Sequence, residues 1–172
     1  AKGLICMPMS GDYCDRLGLD QMVTRNTDNH ETAFTVSIDH VQTTTGISAV
    51  ERGFTARATV LADAKPEDFR RPGHMFPLRA REGGVLCRSG HTEATVDLCR
   101  LAGLRPVGLC CEIMREDGSM MRTTELKEFA KEHNLVMISI ADLISYRMRD
   151  KDEALVTEVA CADFPTKYGH FK

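Results

Sequence analysis

The chain has no C-x-x-C pair, no apolar run of membrane-spanning length, no internal repeat, no low-complexity segment and no excess of positive charge. Several of these absences each remove a class of protein. A nucleic-acid surface needs a basic patch, and the net charge here is −3. A membrane-spanning helix needs about 20 predominantly apolar residues in a row. Seven cysteines, an odd number without paired spacing, read as the reduced thiols of a cytoplasmic protein rather than as a disulfide framework. Cys87, His91 and Cys99 are neighbours in sequence, but their spacing matches no zinc pattern. There is no initiator methionine and no signal-peptide pattern. Ala1-Lys2-Gly3 leads directly into the apolar run Leu4-Ile5-Cys6-Met7, which reads as the middle of a larger fold.

With 172 residues, 42% hydrophobic and 27% charged, the chain is one domain by size and long enough to bury a core. Strand and helix signals alternate along it. Leu4 to Met9 reads as a strand, Asp12 to Leu17 as a helical turn, and Phe34 to Asp39 as a strand with apolar residues at alternate positions. Ser48 and Glu51 form a capping-box signature for a helix running to about Ala62, ended by Lys65-Pro66-Glu67-Asp68. Met75 to Ala80 and Val85 to Arg88 read as short strands joined by a turn at Gly83-Gly84. Thr92 is a suitable N-cap for a helix over 93–102 with Leu98, Leu101 and Ala102 on its buried face, ended by Gly103 and Pro106.

Val107 to Ile113 and Leu135 to Ile140 are apolar runs of the kind found in buried strands. Between them lie a turn at Asp117-Gly118 and a helix from Thr123 to about His133, with Glu125, Lys127, Glu128, Lys131 and Glu132 on a solvated face. A helix over 141–149 follows, and Arg147 to Asp152 reads as a charged linker. This alternation predicts a layered α/β sheet.

The densest chemistry lies between Arg71 and Thr92. Two Gly-His pairs, Gly73-His74 and Gly90-His91, sit seventeen positions apart, and each follows an arginine. Histidine changes charge near neutral pH, and arginine is a planar fork for phosphate. The combination suggests a site that grips a phosphorylated metabolite and moves protons on it. The Arg88–Thr92 junction offers free helix amides, a hydroxyl and a guanidinium to an anion, and Gly90 allows close backbone approach. The same residues are also consistent with a capped helix beside a surface arginine. Glu112, near the end of an apolar run, is either a carboxylate tuned by burial for acid/base work or a strand-end glutamate reaching solvent. Cys6 and Cys111 read as core residues.

These residues carry a resemblance. Asn26-Thr27-Asp28, Thr32-Ala33-Phe34-Thr35-Val36, Thr44-Thr45-Gly46-Ile47-Ser48-Ala49 and Ala64-Lys65-Pro66 match in order. So do Arg71-Pro72-Gly73-His74, Phe76-Pro77-Leu78-Arg79-Ala80, Gly83-Gly84-Val85-Leu86, Gly90-His91-Thr92-Glu93-Ala94, Cys111-Glu112-Ile113 and Ile140-Ala141-Asp142-Leu143. From Gly3 to Arg149 the chain resembles 3,4-dihydroxy-2-butanone 4-phosphate synthase, a lyase of riboflavin biosynthesis.

The resemblance implies a three-layer α/β (α+β) structure with a mixed β-sheet. It implies a reaction that converts D-ribulose 5-phosphate to 3,4-dihydroxy-2-butanone 4-phosphate and formate with Mg2+ (or Mn2+). It implies His74 and Glu112 as catalytic acid/base groups, His91 as a metal ligand, and Arg88, Ser89, Gly90, His91, Thr92 and Glu112 as substrate-binding residues. It further implies a homodimer with sites at the subunit interface, so that His74 serves the neighbouring site. The family's acidic motif, near Asp-Asp-Glu-Asp-Arg-Glu-Asn-Glu-Gly-Asp, lies upstream of the segment matching Gly3. The chain by itself is therefore expected to be weak or inactive, and a hard cation would lack oxygen ligands. Residues 1–149 are expected to form the synthase domain. Residues 150–172 are expected to be a linker, with Phe164-Pro165-Thr166-Lys167-Tyr168-Gly169-His170-Phe171 resembling the start of a GTP cyclohydrolase II domain. Two other functions fit the same residues: a non-catalytic dimerising domain that supports a fused GTP cyclohydrolase II, and a phosphate-binding module for a different sugar or nucleotide.

Overall fold

The structure, a computed structural model, describes residues 3–149 and 159–171. A three-stranded mixed sheet organises it. Strand β1 (Cys6–Met9) runs parallel to β3 (Phe69–Arg79), pairing Cys6 with Phe76 and Met9 with Arg79. Strand β2 (Ile38–His40) runs antiparallel to β3, giving the order β1-β3-β2. Helix α1 (Gly11–Arg16) packs on β3, α2 (Ala49–Thr59) on β2 and β3, and α3 (His91–Leu101) on β1. Helix α4 (Thr123–Glu132), helix α5 (Ile140–Arg149) and a hairpin of β4 (Phe164–Thr166) and β5 (Gly169–Phe171) complete the described elements. The expected α/β class with a mixed sheet is what forms.

The core is rich in sulfur. Met7, Met9 and Met75 pack with Cys14, Leu17, Leu19, Ile38, Ala58 and Phe69 between the sheet and α1 and α2. Methionine suits this position because its unbranched side chain fills irregular gaps between strand and helix. A second, smaller cluster joins Val85, Ala94 and Leu143 and so ties α3 to α5. Arg71 is structural here: its guanidinium donates to the carbonyls of Pro66, Phe69 and Leu17 and does not reach the site.

Several expectations are corrected. Phe34 to Asp39 is a strand only from Ile38, with Phe34 and Thr35 making isolated bridges to Leu78 and Gln21. β3 starts at Phe69, well before Met75. The segment expected as a strand at Val85–Arg88 is a 3-10 turn over Gly84–Leu86, because Gly83 and Gly84 both take positive φ and curl the chain. Helix α3 is capped at Gly90 rather than Thr92, and its buried face is Glu93, Ala94, Val96 and Asp97, while Leu98, Leu101 and Ala102 are exposed.

The run Val107–Ile113 makes only isolated bridges, Val107 to Met9 and Cys110 to Cys6, and Cys111 is exposed rather than in the core. Leu135 to Ile138 form no strand and are exposed, Val136 to 93%. Arg147 is no linker residue: it is buried and ion-paired to Asp97 at 2.8 Å. Met148 and Arg149 likewise belong to α5, and positions 150–152 of the expected linker lie outside the described residues.

The Ser48 cap forms as read, its hydroxyl accepting from the Glu51 amide at 3.2 Å. The Glu51 carboxylate turns elsewhere than expected. It accepts from the Thr44 hydroxyl, the Ser48 hydroxyl and the Gly46 amide, and above all from the Thr44 amide. These donors favour the ionised form and pull Glu51 from the ordinary 4.5 to about 2. A lowered folded-state pKa adds stability that is present above the unfolded value and lost as pH falls toward the folded one. Glu51→Gln is therefore expected to be less stable than the native chain at neutral pH, with the gap closing between pH 4.5 and about 2. Denaturant melts across pH test this, and a gap independent of pH would contradict it.

Burial also pushes the thiols of Cys6 and Cys14 up to about 11. Near neutral pH a thiol reagent should label Cys87, Cys111 and Cys161 quickly and leave Cys6 and Cys14 protected until unfolding frees all seven. Rapid labelling of Cys14 in the folded protein would contradict this packing.

Candidate active site

One cavity of about 620 Å³ gathers most of the expected site. Arg88, Ser89, Gly90, His91, Thr92 and Glu112 line it together with Cys6, His30, Thr32, Phe34, Leu78 and Cys110. Three pieces of chain build these walls. The 3-10 turn after β3 delivers Arg88 to Gly90 and feeds the N-terminus of α3. Gly90 makes no side-chain cap, so the first amides of α3 are left for a ligand or water at the cavity. The segment bridging to β1 brings Cys110 and Glu112 to the opposite side, held by paired hydrogen bonds of 2.9 and 3.0 Å between Cys6 and Cys110.

The third wall is a loop tied by its own side chains. Asp28 accepts from the amides of Thr32 at 2.9 Å and His30 at 3.2 Å, and Asn26 holds the Thr32 carbonyl at 3.0 Å. The Thr32 bond is the main reason the Asp28 carboxyl titrates below its usual range. Asn26 and Asp28 thus shape the loop that carries His30 and Thr32 to the cavity.

Arg88 is pinned on several sides. Nη1 donates to Glu93 Oε2 at 2.6 Å, Nη2 and Nε donate to the His30 carbonyl, and Nη2 reaches the Thr32 hydroxyl at 3.4 Å. Glu93 is 1% exposed and also accepts from the Arg81 amide at 2.9 Å. Part of the Arg88 charge is thus already matched, and the guanidinium joins loop to helix as well as lining the cavity. Sequence reasoning assigned no role to Glu93, His30 or Thr32. A carboxylate in the first turn of a helix, five residues after an arginine at its mouth, was the available signal.

Glu112 is exposed, which answers the question the sequence left open: the carboxylate reaches solvent at the cavity wall. His91 is exposed at the first position of α3. His74 is not among the lining residues. It sits in the middle of β3, 44% exposed, with its ring Nδ1 2.7 Å from Asp39 Oδ2.

A divalent cation at the cavity would find the His91 imidazole and the Glu112 carboxylate. Among the described residues no three or more His, Cys, Asp or Glu side chains cluster as a metal site. Two donors start a shell for a hard cation and do not complete it.

A family model for 3,4-dihydroxy-2-butanone 4-phosphate synthase matches residues 1–146. The chain belongs to that family. A riboflavin biosynthesis protein RibBA of Aquifex aeolicus is 56% identical over 174 residues, covering 99% of this chain and 42% of that protein. A 3,4-dihydroxy-2-butanone 4-phosphate synthase of Wolinella succinogenes is 54% identical over 164 residues, covering 95% of this chain and 47% of that one. The chain thus spans less than half the length of these curated relatives.

Among solved structures, RibBX of A. baumannii, a two-domain synthase of the same name, superposes with a TM-score of 0.92 at 46% identity, over 99% of this chain and 50% of that one. A 3,4-dihydroxy-2-butanone 4-phosphate synthase in complex with two magnesium ions gives a TM-score of 0.80 at 43% identity, over 88% and 76%. Among the described residues no helix is long and apolar enough to cross a membrane.

At the mouth of the cavity, Gly90 is required for space rather than conformation, since its φ of −101° suits any residue. A Cβ there would lie 2.2 Å from Arg88 Nη1 and 2.7 Å from Glu93 Oε2. Gly90→Ala should force the ion pair apart and destabilise the fold by about 1–3 kcal/mol, as overpacking does. Denaturant melts decide it, and an unchanged midpoint would mean that Arg88 does not occupy this position.

Proposed function

We propose that the protein carrying this chain is a lyase that converts D-ribulose 5-phosphate to 3,4-dihydroxy-2-butanone 4-phosphate and formate. The observation that carries the reading is the cavity itself. It joins an anion-suited helix terminus with Arg88 to an imidazole and a carboxylate, in a chain of this family. The Arg88–Thr92 junction binds the substrate, chiefly its phosphate, with the open amides of α3 and the Arg88 guanidinium as donors. Glu112 faces the same space and transfers protons at the carbons beside the ketone, in the enolisation that opens the reaction. His91 supplies a nitrogen toward a divalent cation, magnesium or manganese. When bound, such a cation stabilises enediolate charge.

His74 acts as an acid/base group on a neighbouring subunit's site in a homodimer, a reading supported by its exposure and its place outside the cavity of its own chain. We place the protein in the cytoplasm, on the strength of its reduced cysteines. Residues 1–149 make the synthase domain. Residues 150–172 lead toward a second enzymatic domain, as the RibBA name of several relatives suggests. The name of the Wolinella relative favours the synthase over a purely supporting role for this domain.

Formate release from ribulose 5-phosphate by the full natural chain with magnesium is the direct test. Glu112→Gln should lower kcat by about 10²–10⁴-fold, the range typical of losing an acid/base group. A chelator should abolish turnover reversibly. A folded natural chain that releases no formate under these conditions would refute the lyase.

A further inference from the structure

We propose that Cys6 and Cys110 form a redox-responsive site, which closes a reversible disulfide across the cavity wall and shuts off turnover. The two residues sit directly opposite one another, in antiparallel sense, where the segment 107–113 crosses β1. Each backbone donates to the other. The Cys6 amide reaches the Cys110 carbonyl at 2.9 Å, and the Cys110 amide reaches the Cys6 carbonyl at 3.0 Å. A hydrogen-bonded antiparallel pair of this kind separates its Cα atoms by about 5.5 Å, within the span a disulfide accepts. Opposed residues also turn their side chains to one face. Here that face is the cavity, which both cysteines line. Cys6 is 6% exposed and Cys110 is half-buried, so the cavity is the route by which a small oxidant meets them.

The same register makes the bond reversible. Directly opposed Cβ atoms lie about 4.5–5.5 Å apart, whereas a disulfide draws them to about 3.8 Å. The bond so formed is strained, and a strained disulfide is the readily reduced, regulatory kind rather than a structural one. The adjustment falls on the side that can give. Cys6 is fixed in β1, itself paired to β3, while the run through Cys110 holds to the sheet by isolated bridges alone. Turning toward Cys6 also takes the Cys110 sulfur from the Thr95 side chain of α3, with which it hydrogen-bonds. Glu112 follows two residues later on the same cavity wall, so a shift of Cys110 moves it. That consequence rests on the lyase reading, in which Glu112 transfers protons. Hydrogen peroxide suffices as oxidant. Its O–O bond breaks as one sulfur takes an oxygen, giving a sulfenic acid and water. The second thiol then displaces water from that sulfur as the S–S bond forms. Overall the two thiols lose two electrons and two protons, and the peroxide becomes two waters. Burial keeps the Cys6 thiol protonated at neutral pH, so closure is slow and answers sustained rather than brief exposure.

Sustained treatment of the full natural chain with hydrogen peroxide, followed by peptide mass mapping and formate-release assays, tests this. The expected product is a cross-link between Cys6 and Cys110, lighter than the two thiols by the hydrogens lost. Formate release should fall on the order of 10²-fold, the cost of misplacing a reacting group by about 1 Å, and dithiothreitol should restore it. Cys110→Ser, compared with its own untreated activity, should lose most of this reversible inhibition. Recovery of Cys6 and Cys110 unlinked, as free thiols or as separately oxidised residues, overturns the proposal. So does a cross-linked chain with unchanged formate release, or a Cys110→Ser variant inhibited as reversibly as the native chain. If Cys110→Ser does not fold, the native cross-link and its reversal by dithiothreitol decide. If the untreated native chain releases no formate, the lyase reading fails and the cross-link map alone decides whether the pair closes.

Discussion

Two buried carboxylates on one helix hold this molecule's working parts in register. Glu93 and Asp97 lie one turn apart on α3 and are both almost fully removed from water. An unpaired charge there would cost several kcal/mol, on the order of what a small domain's whole stability can bear. Each therefore has fixed partners. Glu93 takes the Arg88 guanidinium and the amide of Arg81, two residues past the end of β3. Asp97 takes the amide of Val85 in the 3-10 turn and the guanidinium of Arg147 in α5. Through these bonds the sheet, the turn, the loop held by Arg88 and the last helix are all referred to α3. The cavity inherits its shape from that arrangement.

The glycines of the densest motif take their meaning from the same pair. In the sequence, Gly90 reads as a residue that lets a ligand approach the backbone, and Gly83-Gly84 as a hairpin turn between strands. In the structure both Gly84 and Gly90 make room for a carboxylate. A Cβ on Gly84 would fall 2.1 Å from Asp97 Oδ1, and one on Gly90 would strike the Arg88–Glu93 pair. The spacing of small residues was legible, but what they make room for was not, because Glu93 and Asp97 look like solvent-facing charges on an amphipathic helix until the helix is rotated. Its large apolar residues Leu98 and Leu101 face outward, while its two acids sit with Ala94 and Val96 on the buried face, against the pattern that hydrophobic periodicity assumes.

Local chemistry was read well where a single turn decides it. The Ser48 cap, the helices at 123–132 and 140–149 and the first strand need no knowledge of neighbours. Long-range pairing decided the rest. The runs 107–113 and 135–140 have the composition of buried strands, yet composition states only that a segment can be covered. Among the described residues, the first finds two bridges to β1 and the second finds no strand partner. The ordered motifs of the family carried the site further than periodicity could. They brought Arg88 to Thr92 and Glu112 together across α3 and the irregular run that follows it, where local propensity says nothing about pairing.

The site divides its labour by burial. The groups that fix geometry, Glu93, Asp97 and Asp39, are buried and multiply bonded, and those that face the cavity or solvent, His91, Glu112 and His74, are exposed. The division has a physical reason. A buried charge is rigid because every alternative rotamer leaves it unpaired, so it makes a precise support and a poor proton carrier. An exposed group exchanges protons with water freely and costs the fold little, but by itself it has no fixed direction. Placing each exposed group one bond or one helix position from a buried anchor combines the two properties: His91 opens the helix that Glu93 secures, and His74 rests on Asp39. It follows that the exposed groups can be altered without unfolding the chain, whereas the anchors cannot be altered without moving the groups they hold.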